Sequence, residues 1–352
     1  MFEKDGLNTL YRGHRKTLTK VNAVASALNL RFYKMEDAIE CLMIATMSGE
    51  AMVMIGPPGT AKSRLMRSFC NLLDLIPDTA LIGGEDKRAE DDPSHEAYFE
   101  YLLTQFTEPS ELFGFYDLAA LSKGMGLVRD DRNMMHKAQV VFLDEVFNAS
   151  SAILNSLLTF MNERKFHDRG KVISTPLRLL VSATNHPPQD PTLGAVYDRF
   201  LLRCRVVNVA NEGVDQDDLV QLLQTGWKET HAAELDKKPD CAGLLEDLKR
   251  FQEDVDARTK SGSLRIDPAH PVFATFTQMV STMLKYELSD MSNRRIVKLA
   301  GLVLSLRLLR ADRDGESDIE IQTRDLDVVS RFSLDREDAS GQKRLNEELK
   351  LG

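Results

Sequence analysis

Cysteine is scarce in this chain: Cys41, Cys70, Cys204 and Cys241 are widely scattered, and none makes a C-x-x-C pair or a metal-ligand spacing with histidine. That pattern points away from a disulfide framework or a zinc module, and toward buried or incidental thiols of a reducing cytosol. No early basic-then-apolar segment resembles a signal peptide. The longest apolar stretches, such as 299–309, are broken by Gly301 and Arg307, so no membrane span is expected and a cytoplasmic location is. Excess positive charge is also missing. A net charge of -9 gives no global attraction to phosphate backbones or anionic membranes, which makes nucleic acid an unexpected partner, although a local basic patch is compatible with it. No internal repeat is present.

What the chain does have is length and apolar material. Its 352 residues are 43% hydrophobic, ample for a sizeable core. At roughly 100–200 residues per domain, two or three domains are expected. Apolar residues recur at helical spacing over 35–47, with Ser48-Gly49 as a stop, and 51–55 then reads as a buried strand. Helical periodicity returns over 65–75 and ends at Pro77. The segment 83–96, with Gly-Gly, many charges and Pro93, predicts an exposed loop. Further strands are expected at 98–103, 140–143, 177–182 and 203–209, with a helix carrying Ile153, Leu154, Leu157, Leu158 and Met161 between the second and third. Apolar runs alternating with helices predict a parallel sheet covered on both faces. After Asn211 the reading is all-helical, over 227–258, 273–286, 294–310 and 323–332, followed by a charged tail.

Three short stretches carry chemistry. The first is Gly56-Pro57-Pro58-Gly59-Thr60-Ala61-Lys62-Ser63, set between a strand and a helix. A loop in that context wraps backbone N–H groups around a phosphate, and the helix N-terminus adds partial positive charge. Lys62 would reach the β- and γ-phosphates and Ser63 would ligate Mg²⁺, with Arg64, next in line, counted among the nucleotide-binding candidates. Ala61 stands where the usual pattern has glycine. The second stretch, Val140-Val141-Phe142-Leu143-Asp144-Glu145, is an apolar strand ending in two carboxylates. Asp144 suits the Mg²⁺ shell and Glu145 a general base for the attacking water. Alone, such an ending is often just a strand meeting solvent; following a phosphate loop, it gains weight. The third, Leu179-Leu180-Val181-Ser182-Ala183-Thr184-Asn185, delivers an amide that could orient the lytic water or contact the γ-phosphate, a turn-forming asparagine being the plainer reading.

Taken in order, these stretches together with Ala-Ile-Leu-Asn-Ser-Leu-Leu-Thr-Phe-Met-Asn-Glu-Arg-Lys-Phe (152–166) and Tyr197-Asp198-Arg199-Phe200 resemble the MoxR branch of AAA+ ATPases, particularly its RavA-like members. The resemblance runs from about residue 33 to the helices beyond Arg295. It implies an α/β fold: a three-layer P-loop AAA+ core with a parallel five-stranded sheet, followed by an α-helical lid. The corresponding boundaries are an N-terminal helical segment 1–48, a core 49–210, a lid 211–335 and a charged tail 336–352. It further implies that Arg199 is an arginine finger acting on the γ-phosphate held by a neighbouring subunit, and that Arg294, or Arg295 one place on, is the lid's sensor of nucleotide. A hairpin is implied over 164–172, carrying Arg164, Lys165, Arg169 and Lys171, and an insertion over 112–135. Positive charge at that hairpin could grip an acidic substrate or simply be solvated.

The expected activity is hydrolysis of ATP with Mg²⁺ by a homo-oligomer, a hexameric ring by resemblance. Its output would be remodelling, assembly or activation of a protein substrate, with a von Willebrand factor A domain protein as a possible partner. A nucleic-acid motor and a non-catalytic nucleotide-gated scaffold are the competing classes. The loop over 77–96 is longer than the resemblance requires, and the extra C-terminal module of RavA is not expected after 332.

Overall fold

In the computed structural model, residues 1–81, 94–117, 119, 122–124, 128–168, 171–209, 215–231, 238–335, 343, 345 and 347 are described. Most of the acidic loop expected at 77–96 therefore lies outside the described residues, as do Arg169 of the expected hairpin and nearly all of the tail 336–352. The chain divides into two compact units. One comprises Val53–Phe200 and Arg205–Asp236; the other comprises Met1–Met52, Leu201–Cys204 and Lys237–Gly352.

The sheet is built from short apolar strands, β1 (Met52–Ile55), β2 (Tyr98–Leu102), β5 (Val140–Asp144), β8 (Leu179–Thr184) and β9 (Leu202–Arg205), of which Met52 and Leu202–Cys204 are counted with the second unit; β3 (Phe115–Asp117), β4 (Val128–Asp130), β6 (Lys165–Asp168) and β7 (Lys171–Ser174) form two small hairpins. The five-stranded parallel sheet has the order β2-β5-β8-β1-β9. Every residue of β1 and β8 is buried, as continuous apolar runs require when helices cover both faces of a parallel sheet. The register sets Leu102 of β2 beside Asp144 and Leu143 of β5 beside Ser182 of β8. That register brings the ends of three strands to one edge of the sheet, where ligands of open α/β folds bind.

Helix α3 (Lys62–Leu72) follows β1 and buries Leu65, Met66, Phe69, Cys70 and Leu72. Helix α4 (Ser151–Glu163) follows β5 and buries Ile153, Leu154, Leu157 and Phe160. The two hairpins are antiparallel, β3 with β4 and β6 with β7, and they fall where an insertion and a hairpin are expected. They are tied together. Arg129 of β4 pairs with Asp168 of β6 at 3.0 Å and donates to Tyr116 Oη at 2.8 Å, while Phe113 stacks on Phe166 at 4.5 Å. Helix α5 (Gln216–His231) completes the described part of this unit.

The second unit is helical: α1 (Lys4–Arg31), α2 (Glu36–Ser48), α6 (Leu244–Ser261), α7 (Pro271–Lys285), α8 (Asn293–Arg313) and α9 (Asp327–Phe332). Gly49 and Gly262, at φ 69° and 75°, close α2 and α6 in the left-handed conformation that glycine adopts without a Cβ clash. Helix α1 bends at His14 and packs against α2, α6 and α8 through Leu7, Leu10, Leu18, Val21, Val24 and Leu28. Residues 1–48, read from the sequence as an approach to the core, thus pack with the C-terminal helices. The reason is α1 itself, whose apolar stripe finds its complement on α8, where Leu299, Leu302, Val303, Leu306 and Leu309 are buried. Each such side chain contributes about 1.5–3 kcal/mol on burial. All four cysteines are buried and unpaired by disulfide. Among the described residues, no helix is long and apolar enough to cross a membrane.

Candidate active site

Strand β1 runs into the loop 56–61, which is held by hydrogen bonds at its entrance. Gly56 N donates to Thr184 O at 3.1 Å, and Val206 N donates to Ile55 O at 2.8 Å. A Cβ on Gly56 would stand 1.9 Å from Val206 O, so only glycine fits there. The loop then turns through two left-handed residues, Gly59 at φ 82° and Ala61 at φ 59°. Left-handed backbone costs an alanine roughly 1–2 kcal/mol relative to the right-handed helical region. The loop holds Ala61 there, immediately before the first helical residue of α3, so the alanine adopts the shape for which the position usually employs glycine.

Lys62 is buried, and its Nζ donates to Gly56 O at 2.6 Å and Pro57 O at 3.0 Å, folding its charge back over the loop. Burial pushes its ammonium pKa down, against the opposing pull of Asp144 and Glu145. Ser63 Oγ donates to Asp144 Oδ2 at 3.0 Å. Asp144 Oδ1 accepts from the Glu145 backbone N–H at 3.0 Å. Glu145 itself is left-handed, at φ 53°, a sparsely occupied region for a non-glycine residue that tends to mark functional positions. Two amides hold its carboxylate: Asn185 Nδ2 reaches Oε1 at 2.6 Å and Asn148 Nδ2 reaches Oε2 at 3.2 Å. Burial, followed by the neighbouring Asp144 charge, pushes the Glu145 pKa up, with Lys62 acting in the other direction.

The phosphate-loop candidates, Asp144, Glu145 and Asn185 therefore share one edge of the sheet. Arg64 lies half-buried on the first turn of α3. Arg199 is elsewhere in its bonding: it donates to Ala195 O at 3.1 Å and to Asp198 at 3.5 Å within its own turn. Arg294 and Arg295 belong to the helical unit and differ sharply. Arg295 is 2% exposed and is committed to Asp335 at 3.1 Å, Asp290 O at 3.0 Å and Ser333 O at 2.9 Å, whereas Arg294 is exposed in the first turn of α8. At the entry to the β6–β7 hairpin, Arg164 Nη1 donates to Leu177 O at 2.7 Å. Asn148 was invisible to motif reading: an exposed asparagine three residues past a glutamate has no periodicity to mark it.

A family model for the MoxR domain in the MoxR-vWA-beta-propeller ternary systems matches residues 19–77 and 92–252, more than half of the chain. The chain belongs to the MoxR family of AAA+ ATPases. Two uncharacterized proteins of Methanocaldococcus jannaschii are similar to it, at 30% identity over 234 residues and 31% over 232, in each case 66% of this chain and 53% of the relative. A structural protein of Acidianus two-tailed virus is 28% identical over 192 residues, 53% of this chain and 28% of that protein. The chain thus spans about half the length, or less, of these curated relatives. A crystal structure described as a candidate ATPase from Cytophaga hutchinsonii superposes with a TM-score of 0.62 at 14% identity, covering 96% of this chain and 94% of that one, a likeness of fold.

The residues also fit the cofactors that a MoxR ATPase implies. Ser63 and Asp144 offer the hard oxygen donors that Mg²⁺ prefers. Among the described residues there is no cluster of three or more His, Cys, Asp or Glu able to hold a metal unaided, so a magnesium ion here would share its shell with the nucleotide. The loop at 56–61, with its forced glycine at 56 and left-handed residues at 59 and 61, has the kind of curvature that exposes backbone N–H groups to phosphate.

Proposed function

We propose that this MoxR protein hydrolyses ATP with Mg²⁺ as a RavA-like homo-oligomeric ring, hexameric by family resemblance, and uses the turnover to remodel, assemble or activate a partner protein. The observation that carries the reading is the continuous hydrogen-bonded series Ser63–Asp144–Glu145–Asn185 at the mouth of the phosphate loop. Lys62 would hold the β- and γ-phosphates, and Ser63 with Asp144 would hold Mg²⁺, which when bound offsets charge on the phosphate oxygens. Glu145 accepts the proton of the attacking water at a carboxylate oxygen. Asn185, and Asn148 beside it, keep that carboxylate aimed.

Arg199, whose bonds among the described residues lie within its own turn, is assigned to the γ-phosphate of the next subunit, where it would stabilise charge in the transition state. An arginine finger of this kind contributes about 10³–10⁵ in rate, so an isolated subunit should turn over slowly. Arg294 is assigned to the nucleotide in preference to Arg295, because the buried Arg295 is already committed. Membership of the MoxR domain found in MoxR-vWA-beta-propeller systems supports a partner containing a von Willebrand factor A domain. The test is Glu145→Gln: turnover should disappear while Mg-ATP is still retained, and undiminished turnover would remove Glu145 as the base.

A further inference from the structure

Phe147 lies two residues beyond Glu145, in the turn Val146–Asn148 whose last residue bonds the Glu145 carboxylate. Its ring meets the edge of Tyr197, with centroids 5.7 Å apart and planes at 72°, and the edge of Phe200, at 6.1 Å and 81°. Those two rings bracket Arg199 in the chain. The turn that presents Arg199 is tight: Asp198 N bonds Gly194 O at 2.8 Å, Arg199 N bonds Val196 O at 3.0 Å and Phe200 N bonds Tyr197 O at 3.1 Å. Phe200 is fully buried and anchors that turn. One aromatic cluster therefore joins the loop that carries the base to the turn that carries the arginine.

We infer that Phe147 is a positioning residue that couples the two by holding both: through one ring it sets the aim of Glu145 in its own subunit's site and of the Arg199 that the same subunit offers to its neighbour. Edge-to-face aromatic packing is directional, and close-packed interiors transmit displacement instead of absorbing it. Set between the Glu145 loop and the rings of Tyr197 and Phe200, the Phe147 ring fixes both the base and the turn that carries Arg199. The inference rests on the reading of Arg199 as acting in trans.

Mixing experiments separate the two ends. Chains carrying E145Q and chains carrying R199A are each inactive alone; mixed, they rebuild sites whose base comes from the R199A chain and whose arginine comes from the E145Q chain. F147L placed in the E145Q chain probes the arginine end only, and F147L in the R199A chain probes the base end only. In each arm the mixed rate should fall about 10-fold, the scale of a lost aromatic pair. The KM for ATP and the affinity for a fluorescent ATP analogue should stay unchanged, and F147Y, which keeps the ring, should restore the rate. An unchanged rate with F147L in either arm overturns the coupling, as does a loss accompanied by an equal loss of nucleotide affinity or of folded protein. If the parent mixture itself fails to recover activity, Arg199 does not act in trans and the coupling falls with it; recovery in the parent with a silent F147L sinks the coupling alone.

Discussion

Asp335→Ala removes the carboxylate on which two buried arginines of the helical unit converge. Asp335 accepts from Ser289 Oγ at 2.6 Å, from the Asp290 N–H at 2.6 Å and from Arg295 Nη1 at 3.1 Å, and it pairs with Arg203. Both guanidinium side chains are 2% exposed and Asp335 is 18% exposed, so solvent cannot replace what is lost. Removing one partner of a buried ion pair costs about 3–5 kcal/mol, because the other charge stays buried. Here two charges stay behind. Arg295 keeps the carbonyls of Asp290 and Ser333, at 3.0 and 2.9 Å, which offsets part of its share, so the single-pair range of about 3–5 kcal/mol is expected for the whole substitution. At roughly 2–4 °C per kcal/mol for a body of 150–250 residues, the melting temperature should fall by about 6–20 °C. Thermal unfolding followed by circular dichroism reads this directly. The double variant Asp335→Ala, Arg203→Met removes one stranded cation and should recover part of the loss. A fall of less than about 3 °C, or no recovery in the double variant, would refute the assignment of Asp335 as the counter-charge of this cluster.

Further outcomes follow from the candidate active site. Because burial and Asp144 raise the Glu145 pKa above its ordinary value of 4.5, and the base acts ionised, kcat should decline as pH falls through that raised value; an acid limb at or below the pKa of an exposed glutamate contradicts this. The sign for stability is opposite: a carboxylate whose folded pKa is raised disfavours the folded state once ionised, so this group's contribution improves as pH falls through the same window. Gly56→Ala sets a Cβ 1.9 Å from a backbone carbonyl and should cost more than about 10-fold in ATP affinity by displacing the loop, whereas Ala61→Gly, which relieves a left-handed alanine at φ 59°, should change stability by no more than about 1 kcal/mol. Equilibrium binding of a fluorescent ATP analogue and thermal scans distinguish them, and wild-type affinity in Gly56→Ala would disprove the steric argument.

Much of the fold was readable because its information is local. The apolar runs at 51–55, 140–143 and 177–182 needed no partners to be read as strands, and the observed β1, β5 and β8 differ from them by at most two residues at either end. The string 56–63 stands out as a candidate phosphate loop because one short segment contains the whole device: strand, turn, cation, hydroxyl and helix start. Asp144 and Glu145 stood out for the same reason, as the polar end of an apolar strand. The sequence could not decide between Arg294 and Arg295, which have the same chemistry one position apart. Burial separates them, since the 100° step between successive helical residues sends one side chain inward to Asp335 and leaves the other exposed.

The sequence by itself determined the class of fold and most of the order of strands and helices, and it marked the candidate phosphate loop, because each depends on residues within a few positions of one another. Only the tertiary structure decided that α1 packs with helices more than two hundred residues away, that Arg164 donates to Leu177 O, that Asn148 shares the Glu145 carboxylate with Asn185, and that Phe147 packs against the rings flanking Arg199. These are contacts between surfaces. Periodicity can say which face of a helix or strand is apolar, but the partner that covers that face is chosen by shape and by the closure of the whole chain.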